Sequence, residues 1–193
     1  MQLRRLPRVA KNLAIDLYLG GSIAGHEITR FGHVGAHDIG AADYADLSRI
    51  FSRGRIRAGD TLVDLGSGKG RVLNWWTLKY RRRNTIVGIE IDPYWAERSR
   101  RRLARYPSVR VITGHVLDVL PDIGGDLFFM FNPFDEAIMR GVELTLRARP
   151  AQVVYYHPKH LDIWRNGYWN IDLSRDGRLT YPLARLTPRH VSP

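Results

Sequence analysis

Residues 61–71 read Thr61-Leu62-Val63-Asp64-Leu65-Gly66-Ser67-Gly68-Lys69-Gly70-Arg71, and this stretch decides the fold. Thr61–Leu65 is a short β-branched and apolar run closed by glycines, and Arg71–Tyr80 continues with apolar residues at helical spacing. A strand that enters glycines and leaves as a helix brings backbone N–H groups and the positive helix end towards a ligand. The dinucleotide pattern G-x-G-x-x-G needs glycine at position 71, where this chain has Arg71. The series here is Gly66-x-Gly68-x-Gly70, preceded by Asp64.

Downstream, Thr85–Glu90 reads as a second strand and Pro93–Arg105 as a second helix, with Asp92 as N-cap and Pro93 at the first helical position. Val109–Thr113, Asp126–Phe131 and Gln152–Tyr156 are further strands, and Asp135–Arg147 is the helix between the last two. This alternation predicts a parallel sheet covered on both faces. Tyr168–Leu173 and Arg178–Leu186 are extended segments joined by Arg175-Asp176-Gly177, and Asp-Gly between strand patterns signals a hairpin. Upstream, Leu13, Ile15, Leu17 and Leu19 give an amphipathic segment stopped by Gly20-Gly21. A glycine-rich loop follows over 31–40, and Tyr44, Leu47, Ile50 and Phe51 mark one more helix face. The expected architecture is α/β: a Rossmann-like, doubly wound, mostly parallel seven-stranded sheet with a C-terminal antiparallel β-hairpin and an N-terminal helical extension. Residues 1–55 read as that extension with a lid loop and 56–193 as the core, in one structural domain overall.

A chain of 193 residues with 44% hydrophobic content can fill one core. The absence of cysteine excludes a disulfide scaffold, a thiolate metal site and a cysteine nucleophile. His33, His37 and Asp38 match no common ligand spacing, so no metal is expected. The net charge of +11 invites a nucleic-acid partner. However, only four of the 30 basic residues are lysine, a bias that genome base composition alone can produce. Arg81-Arg82-Arg83 and the series Arg98, Arg100, Arg101, Arg102, Arg105 read as a solvated loop and helix face. Asp16 interrupts the apolar part of the first 21 residues, and no stretch approaches the roughly 20 apolar residues of a membrane span. A cytoplasmic protein is expected.

Glu90 ends its strand 26 positions after Asp64, which places it at the same sheet edge beside the glycine turn. A carboxylate there can accept both hydroxyl protons of a ribose, and a lone Glu in so apolar a strand needs a partner. Over roughly Asp60 to Tyr156 the chain resembles the class I S-adenosylmethionine (SAM) dependent methyltransferases, in particular bacterial members without an assigned acceptor. "VDLGSGKG" is similar to the first motif of that family, "VGIEIDP" to the second and "DLFFMFNPF" to the fourth. The resemblance implies SAM as cofactor and S-adenosylhomocysteine as product. It also implies that Gly66, Ser67, Gly68 and Gly70 wrap the methionine part, Asp64 sits near its amino group, Glu90 holds the ribose and Ile91 packs on the adenine. At the third motif the family offers an acid beside the adenine where this chain has His115. His115 could stack or hydrogen-bond there with the Val116 N–H reaching a ring nitrogen, or Asp118 could take that place.

Asn132-Pro133-Phe134 resembles the Asn-Pro-Pro-aromatic motif of amino methyltransferases, without its second proline. In that motif the Asn side chain and a backbone carbonyl accept hydrogen bonds from the nitrogen to be methylated. His157 is the candidate general base for a hydroxyl acceptor, with Tyr156 as an alternative orienting group. The resemblance further makes 35–44 a lid. The expected function is transfer of a methyl group to an N or O atom of a small or medium-sized acceptor. An RNA or protein acceptor reached through the arginines and a non-catalytic SAM or nucleoside binding module are the alternatives, and nothing fixes the oligomeric state.

Overall fold

The computed structural model describes residues 8–189 apart from 22, 24 and 53–55. Residues 1–7 of the expected extension, and part of its boundary with the core, lie outside the described residues. Seven strands form one sheet: β1 (Thr61–Leu65), β2 (Thr85–Glu90), β3 (Val109–Thr113), β4 (Leu127–Phe131), β5 (Gln152–Tyr156), β6 (Trp169–Leu173) and β7 (Leu183–Pro188). Their spatial order is β3-β2-β1-β4-β5-β7-β6. The first five are parallel, and β7 pairs antiparallel with both β5 and β6. The order reverses between β1 and β4, where an open α/β sheet leaves a crevice beyond its carboxyl ends.

Helices cover both faces, which is why β4 can read Leu-Phe-Phe-Met-Phe with almost no polar relief. Side chains alternate between two cores because successive residues of a strand point to opposite faces. Val63, Phe128, Met130 and Tyr155 pack on one side with Met139, Val142 and Leu146 of α6 (Glu136–Arg147). On the other side, Leu62, Ile86, Phe129 and Tyr156 meet α2 (Tyr44–Ile50), α3 (Arg71–Tyr80) and α4 (Pro93–Leu103). Trp76 is fully buried there, edge-on to Phe51 and Phe129. Aspartates start three of these helices: Asp43, Asp92 and Asp135 accept from Ala45, Tyr94 and Ile138 N–H. A short α5 (Val116–Val119) follows β3.

Two local expectations are corrected. The first helix, α1 (Arg8–Tyr18), forms where the pattern places it, but Leu13 and Leu17 face outward while Asp16 is buried. Asp16 is drawn in by Arg71, at 2.7 Å, and by the Tyr44 hydroxyl, also at 2.7 Å. Tyr44 in turn accepts from Asn74, whose amide oxygen accepts from Arg102. Arg102 is therefore not a solvated member of its run. Second, Asp176-Gly177 is not a tight hairpin turn. It sits within the longer connection 174–182, closed by the Ser174 N–H to the Leu183 carbonyl, and β7 starts only at Leu183. Thr180 N–H is held by Asp46 and Tyr181 N–H by the Tyr156 hydroxyl, so contacts to the body of the fold override the local turn signal. Among the described residues, no helix is long and apolar enough to cross a membrane.

Candidate functional site

The carboxyl ends of β1, β2, β3, β4 and β5 deliver the glycine turn, Glu90, Gly114-His115, Asn132-Pro133-Phe134 and His157 to one edge. Gly66, Gly68 and Gly70 all have positive φ, at 73°, 52° and 80°. Gly66 has no room for a side chain, since a Cβ would lie 2.5 Å from Pro133 Cβ. The N–H groups of this turn are used internally. Gly66 and Ser67 donate to the Ile89 carbonyl at 3.0 and 2.9 Å, and Gly70 donates to Ser67 at 2.8 Å. The expectation that these N–H groups face a ligand is thereby corrected. Gly68 donates to Glu90 Oε2 at 2.5 Å, so the turn reaches the crevice through a carboxylate.

Glu90 is buried and also accepts from Asp92 N–H at 2.9 Å, which supplies the partners its strand demanded. Burial raises its carboxyl above the usual range, while the N–H groups of Asp92 and Gly68 pull the other way. Asp64, fully buried at the end of the neighbouring strand, is raised well above that range by burial first and by the Glu90 charge second.

Three cavities meet here. The first, of about 670 Å³, has Gly66, Gly68, Glu90, Ile91, His115 and Val116 in its wall, with Pro133 and Phe134 opposite. The second, of about 1030 Å³ and open to solvent, is walled by His26, His37, Asn132, His157 and Lys159. The third, of about 310 Å³, contains Asp64, Gly66, Ser67 and Arg71. Gly40 lies in all three walls, and so does Phe131. Gly70 lies in none of them. Its missing side chain instead admits α4, where a Cβ would come within 2.6 Å of Ser99 and Arg102.

His115 is the N-cap of α5: its Nδ1 accepts from Leu117 N–H at 3.3 Å while the ring lines the first cavity. A capping side chain at this corner needs only an acceptor atom, which imidazole supplies as an aspartate would. Asp118 is exposed and lines none of these three cavities.

Asn132 (φ 42°) and His157 (φ 56°) are the two non-glycine residues with positive φ among the described residues. They follow the adjacent strands β4 and β5 and both line the second cavity. Backbone strain of this kind costs about 1–3 kcal/mol per residue and clusters at functional sites. Asn132 is buried, its Oδ1 accepting from the Tyr155 hydroxyl at 3.1 Å. His157 stacks on Tyr181 with ring centroids 4.4 Å apart. Its pKa is lowered by burial and then by the Lys159 charge. Burial pushes the Tyr155 hydroxyl up to about 12.

The segment 27–40 lies over the glycine turn. The Glu27–Ile39 bridge closes it on itself, and it is tied to the core by the Ala36–Phe134 bridge, by His37 N–H to the Pro133 carbonyl at 2.9 Å, and by Asp135 N–H to the Gly35 carbonyl. This paired segment overlaps the 35–44 stretch of the sequence reading and starts before Gly35. The residue that reading undervalued is His37, whose ring lines both the first and the second cavity. Its Nδ1 lies 3.0 Å from the Asn132 carbonyl oxygen and 3.2 Å from Asn132 Nδ2. No local pattern marks it, because its place depends on a pairing between segments about a hundred positions apart. Arg71 was likewise read only as a departure from the dinucleotide pattern, yet it forms part of the third wall. None of the eight arginines in the two runs lines a cavity. Arg100 and Arg101 pair with Glu97, and Arg105 lies over Tyr106.

No family model matches the chain, and no curated protein matches it. Solved structures do. Precorrin-6y C5,15-methyltransferase from Geobacter metallireducens is 12% identical, with 77% of this chain covering 88% of that one at a TM-score of 0.61. An RNA methyltransferase from Salinibacter ruber, solved with S-adenosylhomocysteine, is 19% identical over 80% of this chain and 97% of its own, also at 0.61. Fibrillarin from Aeropyrum pernix, with natively bound SAM, is 14% identical over 76% and 73%, at 0.59. At these identities the likeness is one of fold, and the fold is that of the class I methyltransferases.

Proposed function

We propose that the chain is a SAM-dependent methyltransferase that holds SAM across the first and third cavities and the acceptor in the second. One observation carries this reading: Asp64 Oδ2, Ser67 Oγ and Arg71 Nε are buried without a hydrogen-bond partner, and all three residues line the third cavity. Each unpaired buried polar atom costs about 1–3 kcal/mol. Three in one small space specify a complementary ligand, an ammonium for the carboxylate and a carboxylate for the guanidinium and hydroxyl. The amino-acid end of SAM has both. In the adjoining cavity Glu90 would take the ribose hydroxyls, Ile91 would pack on the adenine, and His115 with Val116 would border its edge.

When bound, SAM supplies an electrophilic methyl carbon on a sulfonium. The chain's own residues then have to orient the reactants in line and exclude water. Segment 27–40 roofs the glycine turn, and residues 1–55 serve in this reading as an extension and lid to the core. Asn132, Pro133 and Phe134 stand where the first and second cavities join, and His157 stands on the acceptor side. The position of the eight arginines of the two runs outside all three walls supports a small or medium-sized acceptor over RNA or protein. The strain at Asn132 and His157 supports a reacting centre over a passive binding module. Titration calorimetry tests the donor: SAM and S-adenosylhomocysteine should bind and NAD should not, and the reverse preference would refute the reading.

A further inference from the structure

We infer that the acceptor is a planar molecule carrying an acidic hydroxyl, phenolic or enolic in type, and that His37 is the general base that deprotonates it. This rests on the SAM reading above. The first argument concerns what Asn132-Pro133 can still accept. In the amino methyltransferase motif that these residues resemble, an Asn side chain and a backbone carbonyl receive the hydrogens of the acceptor nitrogen. Here Asn132 Oδ1 accepts from Tyr155, whose hydroxyl itself accepts from His160 N–H at 3.3 Å. The Pro133 carbonyl accepts from His37 N–H, and the Asn132 carbonyl faces His37 Nδ1 at 3.0 Å. The groups that would recognise an amine are engaged by the protein.

The second argument concerns what replaces them. In the tautomer that donates Nδ1–H to the Asn132 carbonyl at 3.0 Å, Nε2 keeps its lone pair, and this is the tautomer that the inferred reaction uses. Nε2 has no hydrogen-bond partner among the described residues, and the ring borders both cavities. A backbone carbonyl on one nitrogen fixes the tautomer and orientation of a base acting through the other. The third argument is the wall itself. Phe131 lies in both walls and His157 in the second, and Phe131 is held by tilted packing on Tyr156 and Tyr181 at 4.8 and 5.4 Å, so an acceptor in the second cavity meets aromatic side chains. An imidazole acting as general base is matched to an acidic hydroxyl rather than to an aliphatic alcohol.

In the step, the acceptor O–H proton passes to His37 Nε2 and the oxygen lone pair forms the new C–O bond. The methyl C–S bond breaks with its electron pair going to sulfur, and the imidazolium later returns its proton to water. The other titratable groups facing His37 are His26, Asp38, Glu90, His157, Lys159 and His160.

The test uses 4-nitrophenol and 4-nitroaniline as matched probes with the full chain. Affinity for S-adenosylhomocysteine is measured first by calorimetry, then phenolate absorbance on adding 4-nitrophenol to that complex below its free pKa, then O- or N-methyl product by mass spectrometry with SAM. The wild-type protein should bind and ionise the phenol and give the O-methyl product. His37→Gln should keep S-adenosylhomocysteine affinity, lose the phenolate signal and slow transfer about 10²–10⁴-fold. His37→Asn, which retains a donor for the Asn132 carbonyl, should behave alike and separates loss of the base from loss of the fold. With S-adenosylhomocysteine bound, three results overturn the inference: no binding of the phenol, preferred N-methylation, or variants that match the wild type. Failure of S-adenosylhomocysteine to bind instead overturns the SAM reading and this one with it.

Discussion

Asp16 of α1 and Arg71 of the first turn of α3, 55 positions apart, form a buried ion pair at 2.7 Å. The pair fastens the first helix to the glycine turn, because Arg71 directly follows Gly70. Its second nitrogen, Nη1, also reaches the Ala42 carbonyl, so one side chain gathers α1, the loop before α2 and α3.

Removing one partner leaves the other charge buried and unpaired. Asp16→Ala is expected to cost about 3–5 kcal/mol, read as a lower urea midpoint with an unchanged slope. The double variant Asp16→Leu/Arg71→Met should recover most of that loss, and a loss equal to the single variant's would argue against the ion pair as the cause.

Arg71 separates two ligands by their chemistry. In the Asp16→Leu background, Arg71→Met should weaken SAM binding about tenfold or more, the scale of a charge-assisted hydrogen bond at about 1.5–3 kcal/mol. Binding of 5′-methylthioadenosine, which lacks the amino-acid end, should not change. Equal losses for both ligands in calorimetry would remove Arg71 from the third cavity's function.

If Asp64 receives the SAM ammonium as proposed, SAM binding should depend on pH. Burial and Glu90 raise its carboxyl well above the usual range, so the free folded protein holds a proton there that the unfolded chain has released. The associated stability is present below the unfolded pKa and is lost as pH rises through the folded one. An incoming ammonium favours the ionised form. SAM binding in mildly acidic solution should therefore release a proton, seen as a buffer-dependent calorimetric enthalpy, and affinity should rise with pH across that window. In Asp64→Asn the buffer dependence should vanish.

Glu90→Ala should reduce SAM affinity at least about tenfold by the loss of charge-assisted hydrogen bonds. It should also destabilise the chain, because Gly68 and Asp92 N–H lose their acceptor. Glu90→Gln, which keeps one acceptor oxygen, should recover stability more than affinity in paired denaturation and calorimetry experiments.

Asn132→Gly relaxes the positive φ but deletes the amide oxygen that accepts from the Tyr155 hydroxyl. SAM affinity should hold while the transfer rate falls, and an unaltered rate in single-turnover assays would place the reaction elsewhere.

The core of the fold was legible because its signals are local. Thr61–Leu65, Thr85–Glu90, Val109–Thr113 and Gln152–Tyr156 form strands at the bounds their composition suggests, since β-branched runs closed by glycine or by a capping aspartate have few other solutions. Where tertiary contacts outweigh local preference, the reading failed. Leu13 and Leu17 looked like the inward face of α1 until Arg71 claimed Asp16. Asp176-Gly177 looked like a hairpin turn until Thr180 and Tyr181 were drawn to Asp46 and Tyr156. At the site, Asp64, Glu90 and Asn132 announced themselves by lying at the carboxyl ends of strands. His37 did not, because a glycine-rich loop carries no periodicity to say what it lies against.

The Ala36–Phe134 bridge and the Pro133 carbonyl bond anchor one short ribbon of backbone that both roofs the first cavity and seats the His37 ring. Roof and ring are thus carried by the same stretch of backbone, so any displacement of one would move the other.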